Sequence, residues 1–228
     1  MLTEMEWNAL RLSLLVASVA VLVSLPVAIL LAYRLARSSS RGMWIVETLV
    51  NLPLVLPPVV TGYLLLVAFG RSSPLGGFLE RVFGFSIAFT WLGAAVAAAV
   101  VGFPLMVRAV RLAFEAVDPR LELAAQSLGA NRIGSFLTVS LPLAKRGVIA
   151  GAVLAFARGV GEFGATIMIA GNIPGKTQTI PLAVYAMTER PNGIAESWRL
   201  VALSVLIAAA AIVVSRWVER RQRNRSHA

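Results

Sequence analysis

The sequence predicts an all-α membrane protein in which a single domain, 1–228, contains about five transmembrane helices. Hydrophobic residues make up 58% of the 228 residues and charged residues only 14%, against about 25% charged residues in a typical soluble domain. Five mostly apolar runs reach about 20 residues, the length that crosses a bilayer. Because none of them alternates like a strand of a membrane barrel, a helical bundle is expected and a soluble enzyme is excluded.

The predicted spans are about 9–33, 44–69, 87–107, 148–170 and 198–217. The first is expected to stay in the protein, because acidic residues flank it where a cleavable signal peptide carries basic ones. The apolar segment 180–187 is too short to span, so we expect it to be re-entrant or interfacial.

Two prolines inside the second span, Pro57 and Pro58, predict that this span is bent or broken. Broken helices are tolerated in a membrane where they are buried in protein or line a water-filled cavity. Pro57 and Pro58 are therefore candidates for lining a solute pathway, and an ordinary structural kink is an equally good interpretation.

Basic residues are concentrated in the connections on one side of the predicted spans. Positions 34–41, 108–146 and 216–225 hold most of them, whereas the loops on the other side contain only Arg71, Arg81, Lys176 and Arg190. The richer side is cytoplasmic by the positive-inside rule, so we expect the N-terminus outside and the C-terminus inside a plasma membrane. The formal net charge of +10 then reflects membrane orientation and some affinity for anionic lipid, and not nucleic-acid binding.

The chain contains no cysteine, and its single histidine is His227. Disulfides, thiolate clusters, zinc triads and haem ligation are thereby excluded. We expect no metal, no cofactor and no catalytic residue in this chain.

The cytoplasmic connection 108–147 is too charged to span and too regular to be a linker. Asp118 followed by Pro119 is typical of a helix N-terminus, and Gly129 suits the left-handed residue after the helix end. A second short helix is expected over about 131–139, ending before Pro142. One apolar face of the first helix is formed by Leu121, Ala124, Ala125 and Leu128. This face could dock a partner, or it could pack on the bundle or lie along lipid headgroups.

The segment 121–143 resembles the EAA loop of ABC importer permeases. Ala124, Ala125, Gly129, Leu141 and Pro142 fall in register with its two alanines, its glycine and its Leu-Pro pair. Glu122 lies one position earlier than the usual glutamate, whose place Leu123 takes. The resemblance implies that these residues form the coupling helix that docks in a groove on a cytoplasmic ATPase subunit.

Three further segments, 52–66, 103–118 and 161–185, resemble the molybdate-type permeases of this group. The resemblance implies a bacterial inner-membrane importer of molybdate, working as a homodimer with two ATPase subunits and an extracytoplasmic oxyanion-binding protein. A sulfate or tungstate permease is the alternative within the group. An ATP-independent anion channel or secondary transporter is the alternative outside it, although five spans leave no room for an inverted repeat.

Arg158 and Glu162 are charges inside the fourth predicted span, four residues apart. Charged residues in a membrane are costly and indicate a functional site by default. The arginine could offer a planar donor fork to a tetrahedral oxyanion, or the two residues could form a structural ion pair. Thr166 in the same span is a further pathway candidate.

The motif GNIPGKT at 171–177 superficially resembles a phosphate-binding loop. It has three residues between its glycines where such a loop has four, and it follows a membrane helix and not a strand. As an external loop at the pathway mouth, it could meet an oxyanion or its binding protein through Asn172, Thr177 and Thr179. A turn built by glycine and proline with a solvated lysine is the alternative.

Gly147 and Gly151 form a GxxxG motif at the start of the fourth predicted span. Glycines at this spacing permit close packing of two membrane helices. Whether the contact lies within one chain or across a dimer stays open at this point.

Overall fold

The computed structural model describes residues 2–38 and 40–223, and every regular element within these ranges is helical. The elements are α1 (Glu4–Arg37), α2 (Arg41–Val55), α3 (Pro58–Phe69), α4 (Pro74–Phe83), α5 (Trp91–Glu115), α6 (Pro119–Ser127), α7 (Arg132–Ser135), a π-helical turn (Phe136–Ser140), α8 (Leu141–Val160), α9 (Gly164–Ala170), α10 (Ile180–Thr188) and α11 (Gly193–Arg223). The all-α prediction is confirmed.

Four helical stretches in the described ranges are long and apolar enough to cross a membrane. They are α1, α5, the continuous stretch Arg132–Val160 and the part Gly193–Ser215 of α11. A fifth span results only if α2 and α3, which are bent by 115° relative to each other, count as one broken span. The predicted break at Pro57 and Pro58 is therefore present. The prediction of about five spans agrees with the count that includes this broken span.

The centre of the bundle is formed by α1, α5 and α8, which pack through small side chains. Ala28 and Ala32 of α1 and Ala144 of α8 are buried around Phe114 of α5. Small residues let helix backbones approach closely, which is a main source of helix association in lipid. The alanines in the apolar runs therefore allow α1, α5 and α8 to pack closely.

The GxxxG motif makes its contact within the chain. A Cβ on Gly151 would lie 3.1 Å from both the Met106 carbonyl oxygen and the Val110 side chain of α5. A Cβ on Gly147 would collide with the Ala113 side chain, also of α5. The two glycines thus set the distance between α5 and α8.

The third predicted span, 87–107, corresponds to α5, which begins later, at Trp91. The chain turns just before it, because Phe89 has a left-handed φ of 59° and its N–H donates to the carbonyl of Ile169 in α9 (2.9 Å). This contact holds the start of α5 beside α9.

The predicted span 148–170 is wrong as a single helix, because the structure breaks it between Val160 and Gly164. The break lies in the stretch GVGEFG, and glycine is a poor helix former. The Glu162 side chain accepts a hydrogen bond from the N–H of Ala165 (2.8 Å). It thereby gives a partner to one of the free amides at the start of α9.

The connection predicted over 108–147 is shorter in the structure, because α5 continues to Glu115 and α8 begins at Leu141. The expected helix end before Pro142 is also wrong, since α7 continues through the π-helical turn into α8. In that turn the Leu141 N–H bonds the carbonyl of Phe136, five residues earlier. A proline ring clashes with the carbonyl four residues earlier in a regular α-helix, so a wider turn directly before Pro142 lets the helix continue.

The short apolar segment predicted over 180–187 is α10, which is too short to span. The Ile180 N–H donates to the Ser13 hydroxyl of α1 (2.7 Å). Ile180 is fully buried in a cluster that includes Leu200 of α11. These contacts hold α10 between α1 and α11.

We predict that Gly147→Ala lowers stability, whereas Gly42→Ala does not. The first change places a Cβ against Ala113 across the contact of α5 with α8. The second, in α2, meets no atom of the other described residues within 4 Å. Overpacking of this kind costs about 1–3 kcal/mol, while an unhindered glycine-to-alanine change is neutral or slightly stabilising. Thermal unfolding of both purified variants in detergent is the measurement. Equal melting temperatures would contradict a tight contact at Gly147.

Candidate functional site

A buried carboxylate connects the loop between α5 and α8 to the end of α1. Glu122 of α6 is only 8% exposed. Its carboxylate accepts hydrogen bonds from Arg37 Nη2 and Nε (2.6 and 2.9 Å), from the Tyr33 hydroxyl (2.8 Å) and from the Ser140 hydroxyl (2.7 Å). Hydrogen bonds between charged partners are among the strongest in proteins. We call Tyr33, Arg37, Glu122 and Ser140 the loop anchor.

The loop anchor rests on aromatic rings from three elements. The Tyr33 ring meets Phe114 of α5 and Phe136 of the π-helical turn edge-on, with centroid distances of 5.4 and 4.8 Å. Arg37 Nη2 donates in addition to the carbonyl of Val117, just before α6 (3.1 Å). Edge-on ring pairs have a preferred geometry, so they orient the Tyr33 hydroxyl toward the carboxylate. The loop is therefore attached to α1, α5 and the π-helical turn at once.

The surroundings of Glu122 keep this side chain ionised. Burial acts to raise the pKa of Glu122, but the hydrogen bonds from Ser140, Arg37 and Tyr33 outweigh it and hold the pKa below its usual range. The attachment therefore has its full strength at pH values above the ordinary pKa range of a carboxyl group. It is lost as the pH falls through the lowered pKa, because the protonated acid no longer attracts Arg37.

The two ends of α6 follow the predicted chemistry. At the start, Asp118 Oδ1 accepts a hydrogen bond from the N–H of Arg120 (2.9 Å). At the end, Gly129 has a φ of 96°, and the N–H of Ala130 bonds the carbonyl of Ala125, as in a Schellman motif. Among the described residues, no atom beyond the two chain neighbours of Gly129 lies within 4 Å of a Cβ built on it. The left-handed backbone, and not crowding within this chain, therefore requires glycine.

The apolar face predicted for α6 is exposed and does not pack on the bundle. Leu128 at the tip is 90% exposed, Leu121 and Ala124 are also exposed, and Ala125 is half-buried. We call Leu121, Ala124 and Leu128 the docking face. Exposed apolar residues that are contiguous on a surface indicate a binding site for a partner.

Leu141 and Pro142, the last two residues of the EAA-like segment, lie at the start of α8. Leu141 packs partly buried against the cluster that contains Phe114, and Pro142 is exposed. They lie directly after Ser140 of the loop anchor. Their place in the structure is thus the transition from the loop into the bundle.

The bend at Pro57 and Pro58 contacts the break between α8 and α9. A Cβ on Gly164 would lie 2.8 Å from the Pro58 Cβ, and a Cβ on Gly62 would lie 2.5 Å from the Ala165 carbonyl oxygen. These glycines let α3 and α9 touch backbone to backbone. Two helix breaks, far apart in sequence, therefore lie side by side.

Arg158 and Glu162 form an ion pair at the second of these breaks. Arg158 Nη1 lies 2.7 Å from Glu162 Oε2, and the carboxylate is 2% exposed while the arginine side chain is 33% exposed. Because Glu162 also accepts a hydrogen bond from the start of α9, the pair links the end of α8 to α9 and has a structural role. Binding of an anion by the exposed part of Arg158 stays a prediction. Thr166 lies within α9 and is buried.

Asn172, Thr177 and Thr179 lie in the connection between α9 and α10. The Thr177 hydroxyl accepts a hydrogen bond from the Ile173 N–H (2.9 Å), and the Asn172 side chain accepts one from Gln178 (2.9 Å). Thr179 is buried, and its hydroxyl has no hydrogen-bond partner in the described ranges. Both threonines face into this chain, so their contact with an oxyanion at the pathway mouth stays a prediction.

No sequence pattern gives a functional role to three members of the loop anchor. Arg37 follows a membrane span, as other orientation-setting charges do, and Tyr33 and Ser140 match no motif position. Arg37 and Glu122 are 85 positions apart, and no local pattern reports such a pair. The one available signal is the position of Glu122 beside the two alanines of the EAA-like segment.

We predict that Glu122→Gln loosens the loop, whereas Glu80→Gln, at an exposed ion pair with Arg71, does not. The amide is neutral, so it attracts Arg37 less strongly, and its NH2 group cannot accept the Tyr33 hydroxyl as the second carboxylate oxygen does. The natural chain has no cysteine, so a single spin label at Leu128→Cys can report mobility of the loop tip. In the parent chain we expect low mobility that rises only when the pH falls below the ordinary carboxyl range. Unchanged mobility in Glu122→Gln would show that the anchor does not hold the loop.

The family model for the binding-protein-dependent transport system inner membrane component matches residues 24–224. The chain is 51% identical over 225 residues to the molybdenum transport system permease protein ModB of Escherichia coli K12, covering 99% of this chain and 98% of that protein. It is 48% identical to ModB of Haemophilus influenzae, covering 97% and 96%. A putative molybdenum transport permease of Bacillus subtilis is 44% identical, covering 82% and 83%.

Two solved structures share the fold at low sequence identity. The inward-facing MetNI methionine ABC transporter has a TM-score of 0.63 and 21% identity, covering 93% of this chain and 94% of that one. A bacterial alginate ABC transporter, solved with an alginate-bound periplasmic protein, has a TM-score of 0.68 and 17% identity, covering 97% and 80%. The family model and the relatives of nearly full length show that the chain belongs to the family of binding-protein-dependent transport system inner membrane components.

Proposed function

We propose that this chain is the permease subunit of an ABC importer that moves molybdate into the cytoplasm, driven by ATP hydrolysis on a separate ATPase subunit. The observation that carries the proposal is 51% identity, over almost the full length of both chains, to a molybdenum transport permease. The alternative substrates sulfate and tungstate share the tetrahedral dianionic chemistry of molybdate. Nothing in the described geometry favours them over molybdate.

The proposed orientation has the N-terminus outside and the C-terminus inside. The packing of α1, α5 and α8 supports it, because the end of α1, the end of α5 and the start of α8 meet at the loop anchor. Arg34, Arg37, Arg108, Arg132 and Lys145 therefore lie at one end of the bundle. A cytoplasmic location for this end agrees with the positive-inside rule.

The docking face is the proposed contact with the ATPase subunit. It is apolar, exposed and carried on a short helix whose two ends are capped. The loop anchor joins α6 directly to α1 and to the turn that leads into α8. A displacement of α6 by the ATPase would therefore move these long helices with it, because the buried carboxylate cannot give up its donors cheaply.

The proposed pathway runs past the two neighbouring breaks, at Pro57 and Pro58 and at Gly161 to Phe163. Irregular backbone at membrane depth is tolerated where it lines a cavity, and the exposed side of Arg158 supplies a positive group there. Moving a dianion against a membrane potential of 100 mV costs about 4.6 kcal/mol, at about 2.3 kcal/mol per charge. This cost favours an ATP-driven pump over an anion channel for import into a negative-inside cell.

The proposed assembly contains a second copy of this permease, two ATPase subunits and an extracytoplasmic binding protein. The family to which the chain belongs is named for its dependence on a binding protein. Because a permease must release its solute, a tight site would slow transport, and selectivity is expected mainly in the binding protein. The connection between α9 and α10 is the proposed meeting point with that protein.

We predict that Gly129→Val reduces uptake and ATPase association about tenfold or more, whereas Gly129→Asn keeps most of both. A β-branched residue is strongly disfavoured at a φ of 96°, and asparagine tolerates the left-handed region better than other residues that carry a side chain. Uptake in cells and co-purification with the ATPase are the two measurements, with membrane insertion as the control. If Gly129→Asn fails as completely as Gly129→Val, glycine is needed because a side chain would collide with the ATPase, and not because of the left-handed backbone. Normal association of Gly129→Val would contradict the proposed coupling role.

We predict that uptake of labelled molybdate by the complete system depends on ATP and is inhibited by vanadate. Unlabelled tungstate should compete strongly, because its size and charge nearly equal those of molybdate, and sulfate should compete weakly. Reconstituted vesicles with and without the ATPase subunit provide the measurement and its control. Vanadate-insensitive uptake by this chain alone would favour a channel, and equal competition by sulfate would favour a general oxyanion permease.

A further inference from the structure

A groove lies between the end of α1 and the segment formed by α7 and the π-helical turn. It has a volume of about 780 Å³. Its lining includes the basic side chains Arg34 and Arg132 and the apolar side chains Leu30, Ile133 and Leu137. We call it the α1–α7 groove. It lies beside the docking face, and the proposed function assigns it no role.

The charges of the α1–α7 groove are unbalanced toward positive. Arg37 and Glu122 also line it, but they neutralise each other in the loop anchor at 2.6 Å. Arg34 and Arg132 are both exposed, and neither takes part in an ion pair in the part of the chain that the structure describes. Two guanidinium groups that have no carboxylate partner favour an anionic ligand, and their planar donor forks suit phosphate oxygens.

An apolar stripe leads away from these arginines along α1. Val23, Val27 and Leu30 precede Arg34 at intervals of four, three and four residues, which places all four on one face of the helix. All three apolar side chains are more than half exposed, as are Ile133 and Leu137 on the opposite wall. A ligand complementary to both features has an anionic head and a long apolar tail.

We propose that the α1–α7 groove binds an anionic phospholipid, with the phosphate between Arg34 and Arg132 and an acyl chain along Val23, Val27 and Leu30. The position in the fold supports this ligand, because α1 is long and apolar enough to cross a membrane and Arg34 lies in its last turn. Basic pockets at the ends of membrane helices are suited to lipid head groups. A free phosphate ion would leave the apolar stripe unused.

The bound lipid has a consequence for the loop. It contacts α1 through Arg34 and the start of α7 through Arg132, so it joins the same two parts of the chain that the loop anchor joins. Arg132 follows Gly129 by only three residues. The lipid is therefore a second connection between the docking face and the membrane, and lipid composition becomes a modulator of the loop position.

The proposal is tested with the purified full chain in detergent, titrated with phosphatidylglycerol or phosphatidylcholine of identical acyl chains and measured by native mass spectrometry. We expect the parent chain to bind phosphatidylglycerol more tightly. Arg34→Gln with Arg132→Gln should weaken phosphatidylglycerol binding about 25-fold, roughly fivefold for each arginine, and should abolish the preference. The matched control is Arg11→Gln with Arg190→Gln, two exposed arginines near the other end of the bundle, which should change binding less than about twofold.

A further variant, Leu30→Gln, separates the tail from the head group. It should weaken binding of both lipids equally and leave the preference for phosphatidylglycerol in place. Equal binding of the two lipids by the parent chain, or equal weakening in the control pair, would overturn the proposal. Complete displacement of phosphatidylglycerol by soluble glycerol phosphate at the same concentration would also overturn it in favour of a free-anion site. Loss of ATPase association with unchanged lipid binding in the Arg34 and Arg132 variant would assign the groove to the protein partner.

Discussion

The loop that carries the docking face is held by one buried carboxylate, and the placement of the surrounding elements depends on it. An ionised Glu122 inside the protein requires donors from every side, and Arg37, Tyr33 and Ser140 supply them from α1 and from the π-helical turn. The end of α1, the last turn of α5 and the start of α8 must therefore meet at α6. Side-chain contacts of the loop anchor therefore join the docking face to the bundle in addition to the chain itself.

Away from this attachment, two helix interruptions in the described part of the chain lie next to each other. The bend between α2 and α3 and the break between α8 and α9 touch through Pro58, Gly62 and Gly164. The bundle thus contains two kinds of helix: long helices attached at the loop, and short helices that meet at the breaks. The first can transmit displacement as units, and the second offer positions where a small rotation changes the shape of a cavity.

The arginines of this chain serve two purposes, which are distinguished by their partners. Arg37, Arg111 and Arg158 each have a carboxylate within 2.7 Å, and Arg111 ties α2 to α5 through Glu47. These pairs hold elements together. Arg34 and Arg132 have no such partner in the described ranges and face outward near the membrane end of α1. A net charge of +10 is thus partly structural and partly available to the anionic surface beside the protein.

The sequence by itself determined the all-α membrane architecture, the interruption at Pro57, both ends of α6 at Asp118 and Gly129, and the apolar face between them. Each of these follows from residue composition or from contacts within a few positions, which a sequence pattern records. Only the tertiary structure decided the helix break around Glu162, the passage of a continuous helix through Pro142, and the loop anchor. The physical reason is distance along the chain: Glu122 finds Arg37 and Tyr33 at separations of 85 and 89 positions, and such a contact exists only once the packing of α1, α5 and α8 has brought their ends together.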